Sequence, residues 1–94
     1  MSRPPKPRCL RFDPSIDYFK PRGVPLRLLD EEVLLPDELE ALKLYEVDGL
    51  DQASAGRRMG ISQPTFARLL DKAQKKTARA IVQGKAIRIE KTRQ

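Results

Sequence analysis

Gln63, Pro64, Thr65 and Arg68 stand together at the start of a stretch with helical periodicity, and their side chains suit the edges of DNA bases. A glutamine amide can pair with adenine through two hydrogen bonds, and a guanidinium can do the same with guanine. Pro64 offers apolar surface to a thymine methyl group. Farther along, Lys72, Lys75, Lys76 and Arg79 recur at spacings that place them with Thr65 and Arg68 on one helix face. Such cations suit phosphates, which fix a protein's register on a duplex without carrying sequence information. Arg57 and Arg58 are placed to join them. A further basic group opens the chain, where Arg3, Lys6 and Arg8 alternate with Pro4, Pro5 and Pro7. The prolines keep this arm extended. It can lie along a phosphate backbone or a minor groove, or act only as a flexible, solubilising tail.

Other chemistries find little material. The chain has no histidine and one cysteine, Cys9, so neither a zinc site nor a Cys/His nucleophile pair can be built within it. The carboxylates concentrate in one acidic stretch and scatter around a helix, with no paired acid and base. An enzyme is not expected, and neither a cofactor nor a metal. A lone cysteine forms no internal disulfide, and no apolar run approaches the roughly 18 residues needed to span a bilayer. The expected location is the cytoplasm, with no membrane contact.

The net charge of +6 is unevenly spread. Residues 1–29 carry seven basic and two acidic side chains, residues 30–51 one basic and nine acidic, and residues 52–94 eleven basic and two acidic. That polarity favours an oriented approach to a polyanion. The expected partner is double-stranded DNA.

Residues 50–70 supply the frame for these side chains and read as a helix-turn-helix, whose second helix enters a major groove. Gly60 suits a left-handed exit from the first helix. Gly56 is small where the second helix must come close. Ala55, Met59, Ile61, Phe66 and Leu69 are the apolar packing positions. Asp51 and Ser62 can each cap a helix, and Pro64 falls in a first turn, where a missing N–H costs little. A helical hairpin that binds nothing is the plainer alternative.

The full expectation is a mainly α fold. It comprises a basic arm at 1–8 and a single three-helix domain at 9–94, with helices at 36–48, 52–59 and 63–83. In the first helix, Leu39, Ala41, Leu42 and Tyr45 form one apolar face, while Leu44 and Val47 imply a second packed side. In the last, Phe66, Leu69, Leu70, Ala73, Thr77, Ala80 and Ile81 face inward. Residues 9–29 read as an extended, irregular segment broken by Pro14, Pro21 and Pro25, with Tyr18 and Phe19 folding back over the helices. Residues 85–90 alternate around Ile87 and Ile89 and read as a strand. It forms a short β-ribbon with residues 9–13, within the chain or across a homodimer.

The chain also resembles a family of small bacterial and archaeal proteins, the domain of unknown function 134. The resemblance runs through Cys9, Phe12 and Pro14, the Tyr-Phe-Lys-Pro-x-Gly run at 18–23 and Glu-Leu-Glu-Ala-Leu at 38–42. It continues through Arg-Met-Gly-Ile-Ser-x-x-Thr-Phe at 58–66 and Gly-Lys-Ala-Ile-Arg-Ile at 84–89. Its central segment is similar to region 4 of sigma factors, which reads promoter DNA. Gly56 departs from the pattern, which more often has Ala there. The resemblance implies DNA binding and names no target.

Together these readings lead to a sequence-specific DNA-binding protein that regulates transcription. The alternative is a protein-interaction module that docks on RNA polymerase through its acidic first helix.

Overall fold

Pro36 starts the first helix of the computed structural model, which describes residues 17–90. Proline lacks the N–H that a first turn leaves unpaired. Glu38, two residues on, turns back and accepts the Leu35 N–H at 2.9 Å. Helix α1 spans Pro36–Leu42 and continues as a π-helical turn, Lys43–Val47. The wider turn closes with the Asp48 N–H donating to the Lys43 carbonyl at 2.8 Å. Gly49 then leaves at φ 79°. The expected helix at 36–48 is therefore present, with its last turn unwound by one residue. The change of pitch separates two residues expected on the same packed side. Leu44 is buried, whereas Val47 is 78% exposed.

Helix α2 is Gln52–Met59, capped by Asp51, whose carboxylate accepts the Ser54 N–H at 2.7 Å. Gly60 ends it at φ 74°, a conformation that would strain a residue with a Cβ. Helix α3 is Gln63–Gln83, capped by Ser62 and stopped by Gly84 at φ 69°. These termini fall where the caps and glycines of the sequence put them.

Phe66 is fully buried where α1, α2 and α3 meet, with Ala41, Leu44, Ala55 and Leu70 around it. Met59, Ile61, Leu69 and Tyr45 close the sides. Gly56 is the point of closest approach. A Cβ there would sit 3.0 Å from the Ile61 carbonyl and 3.5 Å from Phe66 Cβ. The missing side chain leaves room for the turn between α2 and α3 to pack on α2, where the Ile61 N–H donates to the Gly56 carbonyl at 2.9 Å.

A three-stranded sheet packs on the far half of α3. Strands β1 (Tyr18–Phe19), β2 (Glu31–Leu34) and β3 (Ala86–Ile89) are arranged β1-β3-β2. A 3-10 turn at Leu26–Leu28 lies between the first two. The pair β1–β3 is antiparallel, with Phe19 opposite Ile87. The pair β2–β3 is parallel, with Glu32 opposite Ile87 and Leu34 opposite Ile89. A parallel pair requires a long crossover, and here all three helices form it.

Three expectations change at this sheet. The strand near 85–90 is present, but the segment expected to pair with it, 9–13, lies outside the described residues. Its partners here are Tyr18–Phe19, within the segment read as irregular, and Glu31–Leu34, to which the sequence reading assigns no element. Strand β3 is central, so both its edges are used and it offers none for pairing across a dimer. Tyr18 and Phe19 join the sheet instead of covering the helices, and remain 37% and 58% exposed. Ile81, expected inward, is 73% exposed. The small Ala80 takes the buried position beside it, and one helical step turns Ile81 away.

Candidate nucleic-acid interface

The first two turns of α3 stand clear of the core on one side. Phe66 and Leu70 anchor the helix from beneath, while Gln63, Pro64 and Arg68 are exposed and Thr65 is half-buried. The cap organises this end. Ser62 Oγ accepts the Thr65 N–H at 3.2 Å and donates its own hydrogen to Thr65 Oγ1 at 2.9 Å. Arg68 Nη2 donates to the same Thr65 oxygen at 3.4 Å.

Further cations continue from this end. Lys72 and Lys75 follow Arg68 at i+4 and i+7, one stripe of the helix, and both are exposed. Lys75 makes an ion pair with Asp71 at 3.2 Å between two exposed side chains, an interaction worth little in water. From the last turn of α2, Arg57 and Arg58 are exposed, and Arg57 Nη2 reaches only Ser54 Oγ, at 3.2 Å. Among the described residues, Arg57, Arg58, Arg68 and Lys72 pair with no carboxylate. Arg3, Lys6 and Arg8 lie outside the described residues.

Lys76 and Arg79 are instead paired with carboxylates of the fold, Arg79 while still on the stripe at i+11 from Arg68 and 46% exposed. Lys76 Nζ donates to Glu38 Oε1 and to the Val33 carbonyl, both at 2.7 Å. The Glu38 side chain is only 2% exposed. Arg79 grips Glu32 with two bonds, Nε to Oε2 at 3.0 Å and Nη2 to Oε1 at 3.2 Å. Lys85 Nζ adds a third contact to Glu32 at 3.0 Å. These bonds hold the Glu32 carboxyl at about 2, below its ordinary 4.5, with Arg79 the larger cause and Lys85 the next. Both lysine and arginine were expected on phosphates. These ion pairs have a plain cause. The acidic stretch turns two of its carboxylates inward, and the cations of α3 that pass over them are drawn in to compensate.

The back half of α3 is thus clamped to β2, β3 and α1, and the front half is left to solvent. On the acidic side, Glu46 accepts from Gln74 Nε2 at 2.7 Å, and the exposed Val47 lies between Glu46 and Asp48. A shallow cavity of about 350 Å³ lies at the other end of α3, lined by Phe19, Pro21, Ala80, Ile81, Gly84 and Ile87. Among the described residues, no three cysteines or carboxylates gather to hold a metal ion. No helix among them is long and apolar enough to cross a membrane.

Sequence reasoning missed Glu32, Glu38 and Lys85 as a structural set. One signal was available. Leu-Pro-Asp-Glu at 35–38 is a helix start whose glutamate reaches back to the cap N–H, and that geometry turns Glu38 away from solvent. Nothing comparable marks Glu32.

A family model described as a protein of unknown function, DUF134, matches residues 1–93. The chain is 48% identical over 90 residues to a UPF0251 protein of Thermoanaerobacter pseudethanolicus, covering 96% of this chain and 76% of that one. It is 52% identical over 90 residues to a UPF0251 protein of Moorella thermoacetica, covering 96% of this chain and 60% of that one. A UPF0251 protein of Desulfosudis oleivorans is 54% identical over 90 residues, covering 96% of this chain and 65% of that protein. The chain therefore spans between about three fifths and four fifths of the length of such relatives. No solved structure matches it.

Proposed function

The chain belongs to the DUF134 family, whose name assigns no activity, and from the geometry we propose that it is a sequence-specific reader of double-stranded DNA that regulates transcription. In this reading α2, the turn at 60–62 and α3 act as a helix-turn-helix of the sigma region 4 kind. The first turns of α3 enter the major groove. Gln63, Pro64, Thr65 and Arg68 meet base edges, and Arg57, Arg58, Lys72 and Lys75 meet phosphates. Arg3, Lys6 and Arg8 extend the phosphate contact. The location consistent with this role is the cytoplasm.

One observation carries the reading. The exposed front of α3 bears hydrogen-bonding side chains beside cations left without carboxylates among the described residues, while cations farther back are consumed by the fold. A helix merely packed in a bundle has no need of that division. Two copies would read a site of two-fold symmetry. The exposed apolar side chains Phe19, Ile81 and Val82, and not the central strand β3, are the surface for their contact. Selection of bound sequences from randomised duplex DNA tests the proposal. Enrichment of a defined motif supports it. Recovery of random sequences alone refutes it.

A second reading rests on Val47, 78% exposed between Glu46 and Asp48, the latter paired with Lys43 at 2.7 Å. An apolar residue in an acidic rim suits a basic protein surface, such as one on RNA polymerase. Loss of polymerase co-purification on Val47→Lys, with DNA selection unchanged, would favour it.

A further inference from the structure

We infer that Thr65 is a positioning residue, which aims the Arg68 guanidinium at its base before DNA arrives. The inference rests on the DNA-reading proposal and, for Thr65, replaces the base contact given there with a contact to Arg68. Thr65 Oγ1 has two lone pairs. One accepts the Ser62 hydroxyl at 2.9 Å, and the other accepts Arg68 Nη2 at 3.4 Å. As an acceptor, the oxygen is therefore already committed within the protein. Thr65 is also half-buried, whereas Gln63, Pro64 and Arg68 around it are exposed.

The support runs back to the core. Phe66, the next residue, is fully buried and fixes the backbone of this turn. Ser62 is fixed as the cap by the Thr65 N–H, and its hydroxyl then fixes the Thr65 side chain. The rotamer of Thr65 is thus set from both sides. Arg68 has a long, exposed side chain with many rotamers, and among the described residues it has no carboxylate to hold it. Its one such hydrogen bond is to Thr65. A guanidinium that meets a guanine through two parallel bonds must be correctly oriented in its plane. Holding it in place beforehand removes part of the ordering cost of binding.

The test combines two measurements on wild type, Thr65→Val, Thr65→Ser and Arg68→Ala. Valine keeps the shape of threonine and leaves the Ser62 cap its backbone donor, so helicity by circular dichroism checks that the fold persists. The first measurement needs no DNA. Nitrogen-15 relaxation of the Arg68 Nε–H should show a less ordered side chain in Thr65→Val and near wild-type order in Thr65→Ser. The second is selection from a randomised 20-base-pair duplex library. Arg68→Ala should lose base preference at one position of the motif. Thr65→Val should weaken preference at that same position by about 2–10-fold, the range expected for ordering one long side chain. Thr65→Ser should restore it.

Loss of a different position in Thr65→Val would make Thr65 a base reader and overturn the inference. So would an unchanged motif or an unchanged Arg68 order. If wild type itself selects no motif, the positioning role falls with the DNA-reading proposal. An ordered Arg68 that loosens in Thr65→Val would then locate the failure in that proposal and not in the Thr65–Arg68 contact.

Discussion

Removing the Lys76 side chain should unfold this protein more readily without making it a poorer binder of phosphate. Lys76→Ala leaves Glu38 with a carboxylate 2% exposed and, among the described residues, one remaining donor, the Leu35 N–H. It also strips the Val33 carbonyl of its lysine. Breaking a buried ion pair by deleting one partner costs about 3–5 kcal/mol. Lys76 itself is 21% exposed, so water can partly replace it, and about 2–4 kcal/mol is the expected loss. For a domain of this size, such a loss lowers the melting temperature by at least about 8 °C. Urea unfolding followed by circular dichroism gives the number. Lys75→Ala is the control. Its pair with Asp71 is exposed at both ends, so the change should stay within about 0.5 kcal/mol. The double variant Lys76→Met with Glu38→Gln should recover more than half the loss, because the amide oxygen still accepts the Leu35 N–H and no charge is buried. Equal stabilities for Lys76→Ala and Lys75→Ala would refute the reasoning.

Glu32 should make stability depend on acid. Its carboxyl is held at about 2 against an ordinary 4.5. A depressed folded value means the contribution is complete above about 4.5 and is lost as pH falls toward 2. Glu32→Gln should therefore be less stable than wild type at pH 6 by about 1–3 kcal/mol, a range reduced for the partial exposure of Arg79, and the gap should close in urea titrations as pH falls through that window. Gly56→Val should cost about 2–3 kcal/mol in the same assay, because the added carbons meet the Ile61 carbonyl and Phe66. With Lys76 and Arg79 engaged elsewhere, Arg57, Arg58, Lys72 and Lys75 neutralise about four phosphates and Arg3, Lys6 and Arg8 up to about three more, so log K for duplex binding should fall with log[salt] at a slope between about −4 and −6. Lys72→Ala should flatten that slope by about one contact, and Lys76→Ala should leave it unchanged.

The helices were legible because their ends are written in local chemistry. Asp51, Ser62, Gly60 and Gly84 act within a turn of themselves, so their caps could be read without tertiary knowledge. Phe66 and Leu70 followed from a helical period. The parallel strand β2 was not legible. Its partner lies across all three helices, and its sequence, Glu-Glu-Val-Leu, places a carboxylate at a buried position. Glu32 is tolerated there only because Arg79 and Lys85 arrive from the other side of the chain. The same long-range pairing explains the partial success at the candidate site. Arg57, Arg58, Arg68 and Lys72 are as exposed as their helical positions suggest, but helical position alone could not reveal that Lys76 and Arg79 pass above inward-turned acids. The π-helical turn at 43–47 escaped because nothing in its composition distinguishes it from a continuing α-helix.

The claim that the front of α3 is a DNA-reading surface is tested most directly by amide shift changes in nitrogen-15-labelled protein titrated with duplex DNA at low salt. The account predicts saturable changes greatest at Arg57, Arg58 and residues 62–72, fading by Lys76 and absent from β2 and β3. An absence of saturable changes would contradict it, as would changes centred on Val47 or on the sheet.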